Sequence, residues 1–168
     1  NKFNIFFIKI LKYILKHFIL TLINIIKYNS FTITINLRSF LYKLLFSKAG
    51  QNVKICDAVT IICPENISIG NNVSIHEYSL LAAHGKLCIG SDVSIGSHFI
   101  VITADHIYND LIISHKKQGL KYGKVEIGNN VWIGSRVTIL NNIHISNNTI
   151  IGAGSVVTKN FPENTIIA

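Results

Sequence analysis

The stretch Ile127 to Val157 repeats in sixes, and this period constrains the chain more than any other feature. Blocks open at Ile127, Ile133, Ile139, Ile145 and Ile151, and Val157 opens the next. The fifth place of each block holds Val131, Val137, Ile143, Thr149 and Ser155, all small or β-branched. Gly, Asn and Ser crowd the places between. An amphipathic helix repeats at about 3.6 residues and a half-buried strand at about 2, so neither yields six. A fixed short repeat implies stacked coils, each unable to bury its apolar side alone. Each six is then a short strand and a turn, and three sixes close one triangular coil. The first and fifth places point inward. Asn and Gly suit the turns because they tolerate left-handed backbone angles that branched residues avoid. Periodicity by itself supports an all-β solenoid.

The same register extends upstream with interruptions. Sixes run at Ile55, Ile61 and Ile67, with Pro64 at a corner, then shift by two residues to Ile69, Ile75, Leu81 and Leu87. A second two-residue shift leads to Ile89, Ile95 and Val101. From Asp105 to Lys124 no sixes occur, and the stretch is polar, with His106, Tyr108, Asp110, His115, Lys116 and Lys117. A long excursion inside a compact repeat is usually functional. The repeat returns at Val125, so about five coils are expected, with the excursion between the third and fourth. Two regions follow: an N-terminal amphipathic, helical region over residues 1–50 and a solenoid domain over 51–168 with an extruded loop at 105–124.

Residues 1–28 are apolar with interspersed cations. Lys2, Lys9 and Lys16 share one helix face, and Phe3, Phe6, Phe7, Ile10, Ile14, Phe18 and Ile25 fall near the opposite one. The longest run free of Lys, His17 to Ile26, is short of the roughly 20 apolar residues that span a bilayer. The segment fits an in-plane membrane helix or a helix packed on the solenoid end or on a neighbouring subunit. Phe31 to Leu37 alternates and predicts a short strand. Arg38 to Lys48 predicts a short amphipathic helix stopped by Gly50, with the solenoid starting near Val53.

The net charge of +8 fits solubility, an anionic ligand or an anionic membrane surface. Its lysines are dispersed and no aromatic-basic motif appears, which argues against nucleic acid. Cys56, Cys63 and Cys88 are odd in number and lack C-x-x-C spacing, so disulfides and zinc are unsupported and a reducing, cytoplasmic compartment fits. No signal-peptide cleavage pattern is visible.

The motifs resemble those of the hexapeptide-repeat acyltransferases, and within them the galactoside, maltose and related sugar O-acetyltransferases. Ile127-Gly-Asn-Asn-Val-Trp-Ile-Gly-Ser135 and Ile151-Gly-Ala-Gly-Ser-Val-Val-Thr-Lys159 match the family's motifs, and the likeness covers about residues 53–168. In those enzymes the catalytic His lies seventeen residues after the Ile of an Ile-Gly-x-x-Val six, at the start of the loop leaving the third coil. Here Ile89-Gly-Ser-Asp-Val is followed at that distance by His106. The resemblance implies a left-handed parallel β-helix and a homotrimer. It also implies acetyl-CoA as co-substrate, with His106 as the base that takes a proton from an acceptor hydroxyl. Imidazole suits that work because it exchanges protons near neutral pH.

By matching position, Trp132, Ser135, Ala153, Thr158 and Lys159 are implied to line the CoA site. Ala153 gives clearance, Thr158 a hydroxyl and Lys159 charge for phosphates. Trp132 follows an inward Val and should point outward, toward CoA or a neighbouring subunit. Asp105 or Asp110 is a candidate to orient His106, and Asp105 and Tyr108 are candidates for acceptor contact. His76 stands where the galactoside and maltose enzymes carry an acceptor-side Asn, so it reads as an acceptor contact or as a solvent-facing residue. His84, His98 and His144 read as surface residues. The carbonic anhydrases of this fold need two zinc His five apart, a spacing absent here, so no metal is expected.

Two departures stand out. The family's Gly-x-Pro segment and basic tail would begin where this chain stops, at Ala168, which implies weaker CoA binding or a shortened chain. The N-terminal region does not look like the helical cap of the galactoside and maltose enzymes. It is more similar to acetyltransferases of surface-polysaccharide assembly, which work at the inner membrane face. A surface-polysaccharide sugar, or its precursor, is therefore the expected acceptor. A small drug or serine as acceptor, or a non-catalytic scaffold, are the alternatives.

Overall fold

Aliphatic residues at every sixth place can be buried together only if successive coils pair in register, and they do. The computed structural model describes residues 2–168, with side chains from Ile8 onward. Expected side-chain positions at Lys2, Phe3, Phe6 and Phe7 lie outside the described residues. Three parallel sheets of five, six and five strands form the faces of a prism. The first face runs Lys48–Ala49, Ile67–Ile69, Lys86–Ile89, Lys124–Ile127 and His144–Ile145. The second runs Val53–Ile55, Val73–Ile75, Val93–Ile95, Val131–Ile133, Ile150–Ile151 and Ile166–Ile167. The third runs Thr60–Ile62, Leu80–Ala82, Ile100–Ile102, Thr138–Ile139 and Val156–Val157. Five complete coils result, plus one strand of a sixth.

The first and fifth places of the sixes fill the interior. Ile133, Ile139, Val137 and Phe99 are completely buried, and Thr149 is nearly so. The two-residue shifts also have a cause. Ile67 and Ile69 are both buried, as are Leu87 and Ile89. Two extra residues in a strand equal one pleat repeat, so the inward face is kept while the coil lengthens. Val53, Val73 and Val93 therefore stack at twenty-residue intervals. Asn52, Asn72, Asp92, Asn130, Asn148 and Asn164 hold positive φ in one column of turns. Their side chains link successive coils, as in Asn52 Nδ2 to Asn72 Oδ1 at 3.0 Å and Asn130 Nδ2 to Asn148 Oδ1 at 2.9 Å.

Two helices close the open end, α1 over Lys2–Ile25 and α2 over Thr32–Leu45. The expected strand at Phe31–Leu37 is thus, from Thr32 on, part of α2, and the expected helix at 38–48 ends at Leu45. The Thr-Ile-Thr-Ile alternation favours a strand locally, but packing overrides such propensity. Arg38, Ser39, Leu41 and Tyr42 are buried on the first coil, and Ser39 Oγ accepts the Ile55 N–H at 2.8 Å. The solenoid also starts earlier than Val53, because Lys48–Ala49 already pairs with Ser68 and Ile69. A terminal coil exposes unpaired backbone groups that invite aggregation, and the helical pair covers them.

The excursion leaves the third face after Ile102. Ala104–His106 and Leu120–Tyr122 form an antiparallel hairpin, with a short helix α3 at His115–Gln118. Leu111 and Ile112 at its tip are almost wholly exposed.

Candidate functional site

Thr103 roots the excursion. It is fully buried, its Oγ1 accepts the Gly85 N–H at 2.7 Å, and its carbonyl accepts the Gly123 N–H at 2.9 Å. Three residues later His106 is exposed, opposite Leu120 in the hairpin. A recess of about 240 Å³ opens here, lined by Asp105, His106, Tyr108, Lys121 and Asn142 among others. It sits at the corner between the third and first faces, where Asn142 forms the turn. Three of the sequence candidates, His106, Asp105 and Tyr108, therefore share one recess.

Asp110 does something else. Its Oδ1 accepts the N–H groups of Ile112 and Ile113 at 2.7 and 3.0 Å, so it shapes the loop. Among the described residues no hydrogen bond joins His106 to Asp105 or Asp110. Asn141, beside Asn142, is buried with neither amide atom partnered among the described residues.

A second opening of about 340 Å³ lies at the corner between the second and third faces. Trp132, Gly134, Ser135, Ile150, Gly152 and Ala153 line it. Trp132 is 59% exposed, as its outward register requires. Gly134 is needed here, since a Cβ would fall 2.6 Å from the Ala153 backbone nitrogen of the next coil. Of the five expected CoA residues, Trp132, Ser135 and Ala153 share this groove. Thr158 and Lys159 do not. They follow the third-face strand Val156–Val157, which puts them at the corner of the His106 recess, and Lys159 Nζ lies 5.4 Å from the Phe161 ring centroid.

His76 is also displaced from His106 within one chain. It follows the second-face strand Val73–Ile75, at the Trp132 corner. Its neighbours come from coil pitch: Cys56 lies twenty residues earlier, and donor atoms of Cys56, His76 and Glu77 fall within 4.8 Å of one another. Burial, and then the negative charge of Glu77, pushes the Cys56 thiol up to about 11. The twenty-residue spacing was the signal that could have paired Cys56 with His76. On the same corner Tyr78, His98 and Arg136 hold positive φ of 59, 59 and 60°. The rings of Tyr78 and His98 stack at 5.2 Å. Side chains other than Gly, Asn and Asp adopt this conformation at a cost, and such strain gathers at functional sites.

One prism thus carries two groups of candidate residues on different corners. The His106 recess, Thr158 and Lys159 occupy one; the Trp132 groove and His76 occupy the other. Residues 124–159, which span the fourth and fifth coils, match the family model for bacterial transferase hexapeptide (six repeats). These two coils carry the hexapeptide repeat of that family. The chain is similar to solved structures of hexapeptide-repeat transferases over nine-tenths of its length. A maltose O-acetyltransferase from Clostridium difficile 630 is 29% identical with a TM-score of 0.75, covering 90% of this chain and 79% of that one. A galactoside acetyltransferase in complex with coenzyme A is 29% identical with a TM-score of 0.78, covering 90% and 74%. A hexapeptide-repeat acetyltransferase of Vibrio cholerae O1 biovar eltor, complexed with acetyl coenzyme A, shares the fold at 24% identity and a TM-score of 0.77, covering 90% and 80%. No curated protein matches the chain by sequence.

These likenesses identify the prism as the left-handed β-helix of hexapeptide-repeat transferases. They also correct one expectation. Coverage of 90% exceeds what residues 48–168 alone supply, so the likeness to the maltose and galactoside enzymes reaches into the helical region.

Proposed function

We propose that the chain is an O-acetyltransferase that moves an acetyl group from acetyl-CoA to a sugar hydroxyl, with His106 as general base. The observation that carries this reading is the placement of His106 in an open recess at the root of the long excursion from the coils. His106 removes the acceptor proton as the oxygen attacks the thioester carbonyl. The tetrahedral intermediate collapses with cleavage of the C–S bond, and the proton passes to the departing CoA sulfur. General-base catalysis of this kind contributes about 10²–10⁴-fold. A backbone N–H at a coil turn stabilises the oxyanion of that intermediate.

The two corners complete each other in a threefold assembly. In a homotrimer the His106 corner of one copy faces the Trp132 corner of the next, and CoA lies between them. Trp132, Ser135 and Ala153 then bound the pantetheine arm, while Thr158 and Lys159 of the adjoining copy supply a hydroxyl and a charge. The almost fully exposed Leu111 and Ile112 support an excursion that is covered by a neighbouring copy. His76, at the groove corner, contacts the acceptor. The mixed polar lining of the recess, with Asp105, Tyr108 and Lys121, suits a polyhydroxylated sugar, and a surface-polysaccharide sugar or its precursor is the acceptor we favour.

The test is thiol release from acetyl-CoA with a panel of sugars, comparing the parent with His106→Ala. Release that needs a sugar and falls at least about a hundredfold in His106→Ala supports the reading. Release that persists in His106→Ala removes His106 from the chemistry. Absence of both binding and turnover replaces the enzyme with a scaffold.

A further inference from the structure

The helical pair is more than a lid for the first coil. Among its described side chains, from Ile8 onward, α1 packs on the body through its C-terminal part, where Ile19 and Ile23 are buried, and Lys16 reaches Glu65 at 2.7 Å. On its other side Leu11, Ile14, Phe18 and Ile25 are 57, 57, 61 and 74% exposed. Their spacing of three, seven and fourteen residues from Leu11 puts them on one stripe. Lys9, Lys12 and Lys16 fall on the opposite side of the helix, in line with Ile19 and Ile23. α2 repeats the design. Arg38, Leu41 and Tyr42 face the first coil, while Ile33, Leu37, Phe40 and Leu44, at intervals of four, three and four, stay exposed.

Charge is segregated in the same way. None of the eight acidic residues lies within residues 1–50, whereas eight of the sixteen cations do. Residues 51–168 are formally neutral, and the whole net charge of +8 belongs to the helical region. No described helix is long and apolar enough to cross a membrane. An exposed apolar stripe, a cationic opposite side and insufficient length together describe a helix that lies in the plane of a bilayer surface. Cations also select an anionic leaflet, each contributing about fivefold in binding near the surface.

We propose that α1 and α2 dock the protein on an anionic lipid bilayer, with the stripe Leu11, Ile14 and Phe18 and the stripe Ile33, Leu37, Phe40 and Leu44 entering the interface. The catalytic prism then stands on the membrane by its helical end. Acceptors held at that surface meet the coils without leaving it. This docking is independent of the chemistry at His106.

The experiment is co-sedimentation of the full chain with vesicles of phosphatidylglycerol and phosphatidylcholine, against vesicles of phosphatidylcholine alone. Binding is expected only with the anionic vesicles, and it weakens with added salt. The pair Lys9→Gln and Lys12→Gln weakens it about thirtyfold, at about fivefold per cation. The triple variant Leu11→Ser, Ile14→Ser, Phe18→Ser abolishes it. All three positions are exposed, so far-UV circular dichroism and turnover with a soluble acceptor stay at parent levels. Failure of the parent to bind anionic vesicles overturns the proposal, as does equal binding to neutral ones. A triple variant that binds like the parent but loses oligomeric mass also overturns it and assigns the stripe to a second copy of the chain. Because sedimentation is read apart from turnover, failure here leaves the acetyl-transfer reading standing, and the converse holds.

Discussion

Replacing Arg38 with Met should loosen the helical region from the solenoid before anything else unfolds. Arg38 is completely buried, and its guanidinium donates to the carbonyls of Ile26, Asn29 and Ile55 at 2.7, 2.8 and 3.2 Å. One side chain thus holds the end of α1, the link to α2 and the first coil. Burial lowers its pKa, partly offset by the negative charge of Asp57, yet a guanidinium stays cationic. Bonds from a charged donor contribute about 1.5–3 kcal/mol each, so three amount to about 5–9 kcal/mol before costs. Desolvating the cation takes back several kcal/mol, and a net loss of about 3 kcal/mol remains. In a chain of this size that lowers Tm by about 6–12 °C. Calorimetry reads the total, and amide exchange reads the place. The Ala58 N–H, which donates to the Lys27 carbonyl at 2.7 Å, should lose protection first, while the Gly90 N–H, bonded to the Ile127 carbonyl at 2.7 Å, keeps it. A fall in Tm under about 2 °C, below 1 kcal/mol by the same conversion, would refute the reasoning. So would equal loss of protection at Ala58 and Gly90.

Two further outcomes follow from the charge environment. With its pKa raised to about 11 by burial, the Cys56 thiol has on the order of one thiolate in a thousand at pH 8. An alkylating reagent should modify the half-buried Cys63 and Cys88 first and reach Cys56 only on unfolding; mass spectrometry showing Cys56 labelled in the folded protein would contradict this. Glu65 is pulled in two directions: burial raises its pKa, but the hydrogen bond from Lys16 prevails and leaves it below the ordinary carboxylate value. A depressed carboxylate stabilises the fold above its unfolded pKa, and the gain disappears as pH falls through the folded value. The parent should therefore lose more stability than Glu65→Gln on acidification through the carboxylate range. The gap should stay under about 1 kcal/mol because the pair is partly exposed. Parallel Tm-against-pH curves for the two proteins would exclude the effect.

The candidate site was legible to different depths at different residues. The excursion stood out because it interrupts a strict repeat, and within it His106 was marked by its spacing from Ile89, which resembles that of the sugar O-acetyltransferases. Trp132, Ser135 and Ala153 fell into one groove because they occupy related places in sixes separated by one coil. Asn141 was not legible, since its unpartnered amide arises from burial beside the loop root. Cys56 joined His76 and Glu77 only through the twenty-residue length of the early coils.

By itself the sequence determined the solenoid. A period of six sorts residues into inward, outward and turn columns, and each sorting rule is local: apolar burial, side-chain size, or tolerance of left-handed φ at Asn. Tertiary structure alone decided the helix over residues 32–37, where contact of Arg38 and Tyr42 with the first coil outweighed the β preference of alternating Thr and Ile. It alone decided that Thr158 and Lys159 share a corner with His106 and not with Trp132. Which residues meet at a corner depends on the summed lengths of all the coils between them, and every two-residue insertion resets that sum. The unpartnered stripes on α1 and α2 became visible only when packing had used the other side of each helix.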